Sequence, residues 1–402
     1  MSRRAGAALA LAAVAGCAGP PAPPSPKPAP DTVAARPAPP IPVAPALPPA
    51  RPPKPAAVRL ALVGDINLGT ATLPDGVPPD SGRGLLDAAR PSLVGDLVVG
   101  NFEGVLADTG TSEKCERMLA GERPRRRSRS RRPPADTSAT RPGCYAFRTP
   151  TALAPRLVDA GFTHLNLANN HANDYGPAGR ESTERILDSL GLRLYGPLGR
   201  IAIDTVRRGD SVATVGLIGF ATYPYAYDLL DIARSVAVVD SVRPLVDLLV
   251  VTFHGGSEGV RALRVPETAE SLGREPRGDL RRWARAVIDA GADAVVGHGP
   301  HVLRGIEFYR GRPIAYSLGN FLTYRGFNLE GPLGVTAVLQ LEFTPDRRLV
   351  RARLVPMAQR PREGPSPDST GAALDLVQQL SGEDFGASAA RIGPGGEIVA
   401  PP

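Results

Sequence analysis

Five short stretches of this sequence place metal-binding side chains directly after an apolar run. They are Asp65 and Asn67 in "GDINLG", Asn101 and Glu103 in "NFEG", and Asn170 and His171 in "NLANNHANDYG". His254 follows in "FHGGSE", then His298 and His301 in "GHGPHV". Imidazole, carboxylate and amide oxygen together suit divalent ions such as Mn, Fe, Zn or Mg, and no thiolate is near to suggest a structural zinc of the cysteine type. All five histidines of the chain fall between positions 164 and 301, a clustering that scattered core or surface histidines would not show. Two ions about 3.5–4 Å apart can clamp a phosphoryl group and activate water for in-line attack, with Glu103 as the shared ligand.

Such groups cooperate only if the chain gathers them. Each follows a run that reads as a buried strand: 58–63, 96–100, 163–168, 247–253 and 292–297. In layered α/β proteins, sites assemble at the carboxyl ends of strands. Helical spacing appears in 149–162, 177–192 and 278–291, and hairpins are expected over 201–220, 306–322 and 334–357. Strands alternating with helices argue for α/β layers, and the late hairpins for antiparallel additions, so the sheets are expected to be mixed. Each motif also has a plain reading. Asp and Asn are turn residues, "NNH" can cap a strand end, and a lone His254 can be a satisfied core histidine. It is the recurrence at five strand ends that favours a site. His164, inside its strand, reads as structural. Glu258 reads equally as pocket wall or surface, and Tyr316, Ser317 and Asn320 as supports of the last histidine motif or as a plain hairpin.

These five motifs, in this order, together with the longer "GHGPHVLRGIEFYRGRPIAYSLGNF", resemble those of the bacterial poly-γ-glutamate capsule-synthesis family, a branch of the calcineurin-like metallophosphatases. The resemblance spans roughly 58–356. It implies a four-layer α/β/β/α sandwich of two mixed β-sheets, holding one or two divalent ions. By that resemblance Asp65, Asn67 and His301 hold one metal, Asn170, His254 and His298 the other, and Glu103 bridges. His171 is implied to face the substrate and donate a proton to the leaving oxygen. Asp174 is placed to orient His171. The chain departs from the wider superfamily in having "DIN" where Asp-x-His is usual and "NFE" where Gly-Asp is usual. An amide is the weaker ligand, so the first site is expected to bind loosely or to prefer Mn or Mg over Zn.

The chain has 402 residues, 42% of them hydrophobic, which is enough for a real core. Its net charge of +7 equals the seven arginines of "RPRRRSRSRR" at 123–132, so the basic character is local. That stretch lacks aromatic residues, and no nucleic-acid partner is expected. It falls within an insertion of about 108–146, expected to be an exposed loop. Cys115 and Cys144 bracket the arginines and can form a disulfide; two free thiols are the alternative.

At the amino end, two arginines, a short apolar run and "VAGC" have the shape of a secretory signal over 1–17, with Cys17 as the lipidated residue. The Pro/Ala-rich 18–57 reads as an extended tether. The domain proper is expected over 58–358, with a Pro/Gly-rich tail at 359–402 containing one short helix at 371–381. The expected protein is exported, and anchored by lipid to the bacterial envelope, in the outer membrane if the host has one. Its substrate is a phosphoester or an anionic polymer. The alternatives are a metal-stabilised module that binds anionic envelope polymer without turnover, and a nucleotidase.

Overall fold

The computed structural model describes residues 57–112, 115–116, 145–208 and 211–402. Cys17, Cys144, the tether and the arginine stretch 123–132 lie outside the described residues. Cys115 lies within them and is disulfide-bonded.

Two mixed sheets form the centre. The first contains β1 (Val58–Asn67), β2 (Leu97–Phe102), β5 (His164–Asn166), β6 (Arg193–Tyr195), β16 (Asn320–Thr323), β17 (Val335–Phe343), β18 (Leu349–Ala358) and β19 (Ser366–Pro367). Its order is β19-β18-β17-β1-β2-β5-β6, with β16 beside β1. The second contains β7 (Ala202–Arg208), β8 (Ser211–Ala221), β9 (Tyr227–Asp228), β10 (Leu248–His254), β13 (Ala294–His298), β14 (Ile306–Tyr309) and β15 (Arg312–Ala315). Its order is β14-β15-β13-β10-β8-β7, with β9 beside β8. Short pairs complete the strands: β3 (Val105–Leu106) with β4 (Arg148–Thr149), β11 (Glu270–Leu272) with β12 (Glu275–Gly278), and β20 (Arg391–Ile392) with β21 (Ile398–Val399).

The period of two along the strands builds the layers. Leu60 and Leu62 of β1 point into a core shared with Leu248 and Val250 of β10, so the two sheets pack face to face. Ala61 and Val63 point the other way, against α1 (Pro155–Ala160) and α2 (Gly176–Ser189). Leu249 and Val251 point outward against α3 (Ile232–Val242) and α4 (Leu280–Asp289), where Trp283 is fully buried. The result is the four-layer α/β/β/α sandwich of two mixed sheets that the motifs implied.

One expected boundary needs correction. Segment 359–402 is not a tail beside the domain. Its helix, α5 (Ala372–Phe385), buries Ala373, Leu374 and Val377 in the core between the sheets, and Phe385 stacks on Tyr316 at 5.0 Å. Apolar spacing at 374, 377 and 380 drives this docking in spite of the surrounding Pro and Gly.

Candidate metal centre

Within the first sheet β1, β2 and β5 are parallel, and within the second β8, β10 and β13 are parallel, so each group delivers its carboxyl ends to one edge. Register does the fine placement. Asp65 lies opposite Asn101, and His254 lies opposite His298. The register of β1 shifts on both sides of Asp65, and such irregularities re-aim a side chain. Gly64 permits this, because a Cβ there would stand 1.9 Å from the Gly319 carbonyl oxygen.

The two edges meet. Asp65, Glu103 and His254 are buried and each offers a donor atom within 4.8 Å of the other two. His301 Nδ1 is 3.0 Å from Asp65 Oδ2 and its Nε2 is 3.8 Å from Glu103 Oε1. His298 Nδ1 is 3.5 Å from Asp65 Oδ1. His171 Nε2 and His254 Nε2 lie 3.9 and 4.0 Å from Glu103 Oε1. Buried polar atoms normally find hydrogen-bond partners. Here both Glu103 oxygens, Asn170 Oδ1, His254 Nε2 and His298 Nδ1 have none, and Asp65 Oδ2 has only its contact with His301. Carboxylate and imidazole atoms left short together in this way are donors a divalent ion takes.

The electrostatics agree. Burial, reinforced by the charge of Asp65, pushes the Glu103 carboxyl well above its ordinary value. Burial would also raise Asp65, but His298 and His301 outweigh it and hold that carboxyl far below the usual range. Burial, with the nearby Arg277 charge, pushes His254 well down. Burial opposes protonation of His301 too, yet Glu103, Asp65 and Glu258 push it up to about 10. Protons thus stand in for cations.

His171 is turned toward the same space. Its Nδ1 is 2.6 Å from Asp174 Oδ2, which also accepts the Phe147 N–H at 2.9 Å. That contact gives Nδ1 the proton and presents Nε2 toward Glu103. His301 adopts a left-handed backbone, with φ of 60°. Such strain persists only where the surroundings hold it. Asn320 does so, with Oδ1 3.1 Å from His301 Nδ1 and Nδ2 donating to the His301 carbonyl at 3.1 Å.

Asn67 is placed differently from the other ligand candidates. Its Nδ2 donates to the Glu103 carbonyl at 3.0 Å and its Oδ1 accepts the Gly69 N–H at 3.0 Å. The Oδ1 contact makes an Asx turn, and the Nδ2 contact ties that turn to the segment after β2. Tyr316 donates to Glu307 and Ser317 accepts the Gly319 N–H, so neither points to the cluster. His164 lies on Asp204, in a separate contact of 2.6 Å.

Sequence reasoning overlooked an amide brace. Asn101 Nδ2 donates to Asp65 Oδ1 at 2.8 Å, and Asn101 Oδ1 accepts from Asn166 and Asn169 at 3.0 and 3.1 Å. The repeated Asn in "NLANN" was the available signal. It also overlooked Arg277. This fully buried side chain donates to Glu258 Oε1 at 2.9 Å and to the Gly256 carbonyl at 2.9 Å. It leaves Glu258 Oε2 3.9 Å from His301 Nε2, which makes Glu258 a wall of the pocket. Phe147 and Phe327 form a further wall, stacked at 4.9 Å and lying against His171 and His301 at 4.4 and 4.8 Å. They come from segments whose approach no local pattern encodes.

Residues 132–325 match the bacterial capsule synthesis protein family, PGA_cap. This match supports the capsule-synthesis family for the chain. Among curated relatives it is 36% identical over 185 residues to the PGA biosynthesis protein CapA of Bacillus subtilis, covering 42% of this chain and 45% of that one. It is 33% identical over 188 residues to the capsule biosynthesis protein CapA of Bacillus anthracis, covering 42% of each. The chain thus spans less than half the length of these two family members. Among solved structures, the 5′-nucleotidase precursor of Thermus thermophilus aligns over 80% of this chain and 58% of its own, at 15% identity and a TM-score of 0.38. The family match begins at 132, so Asp65, Asn67 and Glu103 lie outside it, and the place of Asp65 and Glu103 in the centre rests on the geometry above.

Proposed function

We propose that this chain is a member of the capsule-synthesis family and a metal-dependent phosphoester hydrolase of the cell envelope. The observation that carries the reading is the set of buried carboxylate and imidazole groups from four separate strand ends, several of their polar atoms without a partner, that lie within reach of one another. Asp65, Glu103, His254, His298, His301 and Asn170 are the residues that would hold divalent ions, with Glu103 between them. Ions bound there supply Lewis-acid polarisation of a phosphoryl oxygen. His171, locked by Asp174, carries a proton toward the departing oxygen. The walls formed by Phe147, Phe327 and Glu258 exclude bulk water from one side.

The test is hydrolysis of a generic phosphodiester and phosphomonoester by the Mn-supplemented protein, with and without chelator. Activity is expected to vanish with chelator and to fall ~10²–10⁴-fold in His171→Ala, while that variant still binds Mn. Absence of turnover in Mn-loaded wild type overturns the reading. The placement of Asn67 favours a second reading, a metal-stabilised module that binds anionic polymer, because one expected ligand is engaged in a turn. Polymer binding without turnover, unchanged in His171→Ala, selects it. A nucleotide panel separates out a nucleotidase.

We also propose export and lipid attachment at Cys17, supported by the arginines, apolar run and "VAGC" of residues 1–17. Incorporation of labelled fatty acid that is lost in Cys17→Ala tests it. Among the described residues no helix is long and apolar enough to cross a membrane.

A further inference from the structure

At the amino ends of β10 and β13, the pole opposite the metal centre, the two sheets flank a concavity of about 530 Å³. Arg310 and Arg312 enter it from the β14–β15 hairpin. Arg347 and Arg348 enter from the turn between β17 and β18, Arg351 from β18, and Asp346 is the sole acid in the lining. Beneath this surface, Arg312, Arg347 and Arg243 converge on one carboxylate, Asp293, at 3.1, 2.7 and 2.8 Å. Three guanidiniums on one buried acid leave positive charge uncompensated. Burial already lowers the proton affinity of Arg312, and Arg347 and Arg243 lower it further against the pull of Asp293. Arg310 has its own partner, Asp289, at 2.8 Å. Arg348 and Arg351 are exposed, and their side chains have no hydrogen bond or ion pair to any described residue.

We propose that this concavity is a second ligand site, which holds a segment of flexible polyanion bearing closely spaced carboxylates or phosphates. Guanidiniums recognise both groups by paired N–H donors. The charges are spread over two hairpins, which suits several linked anions better than one. The exposed Val350 and Val399 beside the arginines give the polymer's carbon backbone an apolar surface. It requires no metal and does not depend on the hydrolase reading.

The experiment titrates inorganic tripolyphosphate, and separately a short poly-aspartate, into the full chain by calorimetry in the presence of chelator. The comparison is with the double variant Arg348→Glu, Arg351→Glu. Both positions are exposed, and circular dichroism verifies the variant's fold. Wild type is expected to bind at least one probe, and the probe that binds identifies phosphate or carboxylate as the favoured group. The double variant is expected to bind roughly tenfold more weakly, with a shallower dependence on salt. Glu103→Gln is expected to bind as wild type does. Binding that survives the double charge reversal overturns the proposal, since the arginines at 123–132 would then be the attractant. So does a wild type that binds neither probe, or one that binds only vesicles containing phosphatidylglycerol.

Discussion

β10 and β13 are polar at both ends, and the two ends treat buried charge in opposite ways. At the amino ends, Asp293 is fully buried and over-provided. It accepts from Arg243 and from the Leu249 N–H through Oδ2, and from Arg347 through Oδ1. At the carboxyl ends, Glu103 is equally buried, and neither of its oxygens has a hydrogen-bond partner. Folding alone favours the first arrangement, since a buried charge is tolerated when paired and costly when left short. The second arrangement is tolerated because burial and Asp65 hold the Glu103 carboxyl in the neutral form, and its unfilled oxygens leave room for an outside ligand. Matched charge marks a structural role, and a shared deficit of donors marks a ligand role.

The contrast is broken most directly at the structural pole. Asp293→Asn removes the carboxylate that three arginines share, and is expected to lower unfolding stability by ~3–5 kcal/mol, read by urea denaturation with chelator present. Metal binding is expected to be unchanged. If the same variant abolishes metal uptake, the two poles are not independent and the comparison fails.

At the other pole the corresponding change is expected to act through a bound ion. Mn at one hundred times its dissociation constant is expected to stabilise wild type by ~2.7 kcal/mol, and chelator to remove the gain. Glu103→Gln is expected to lose that gain while the metal-free protein keeps its stability, because the carboxyl it replaces is held in the neutral form by burial and by Asp65. A metal-free Glu103→Gln that unfolds as easily as Asp293→Asn would show that Glu103 is structural.

Asn101→Ala sharpens the comparison one shell out. It deletes the amide that orients Asp65 and stands 3.4 Å from His254 Nδ1. Outer partners of this kind are worth ~10–100-fold in metal affinity, which calorimetry with Mn reads. No change in affinity would mean that the strand register alone aims Asp65.

Much of the architecture was legible because buried parallel strands are apolar runs ended by polar turns. Five such runs gave the sheets their carboxyl edges and named Glu103, His254 and His301 in advance. What escaped has physical reasons. α3, whose "SVAVV" alternates like a strand, is a helix started by Asp231, which accepts the Arg234 N–H at 3.0 Å. Asn67 has the type and spacing of a ligand, but Gly69 two residues later offers the amide that captures its oxygen. Phe147, Phe327 and Arg277 reach the pocket through tertiary approach alone, and the docking of α5 into the core, though not the helix itself, was masked by its Pro- and Gly-rich flanks.

The smallest expected effect lies at a third polar contact, partly open to solvent. Asp204 of β7 meets His164 of β5 at 2.6 Å and Arg193 of β6 at 3.2 Å, so one carboxylate ties the second sheet to the first. The hydrogen bond from His164, opposed by burial and aided by the charges of His164 and Arg193, holds the Asp204 carboxyl below its ordinary value. A depressed carboxylate contributes stability that is complete above its unfolded pKa of about 3.9 and is lost as pH falls through the lower folded value. Solvent screens this pair, so Asp204→Asn is expected to cost no more than ~1 kcal/mol at neutral pH. The deficit is expected to close on acidification below about pH 4. Paired urea curves across that range check it. A deficit that persists in acid would assign the tie to packing, and would leave the paired carboxylate without the electrostatic role that separates it from Glu103.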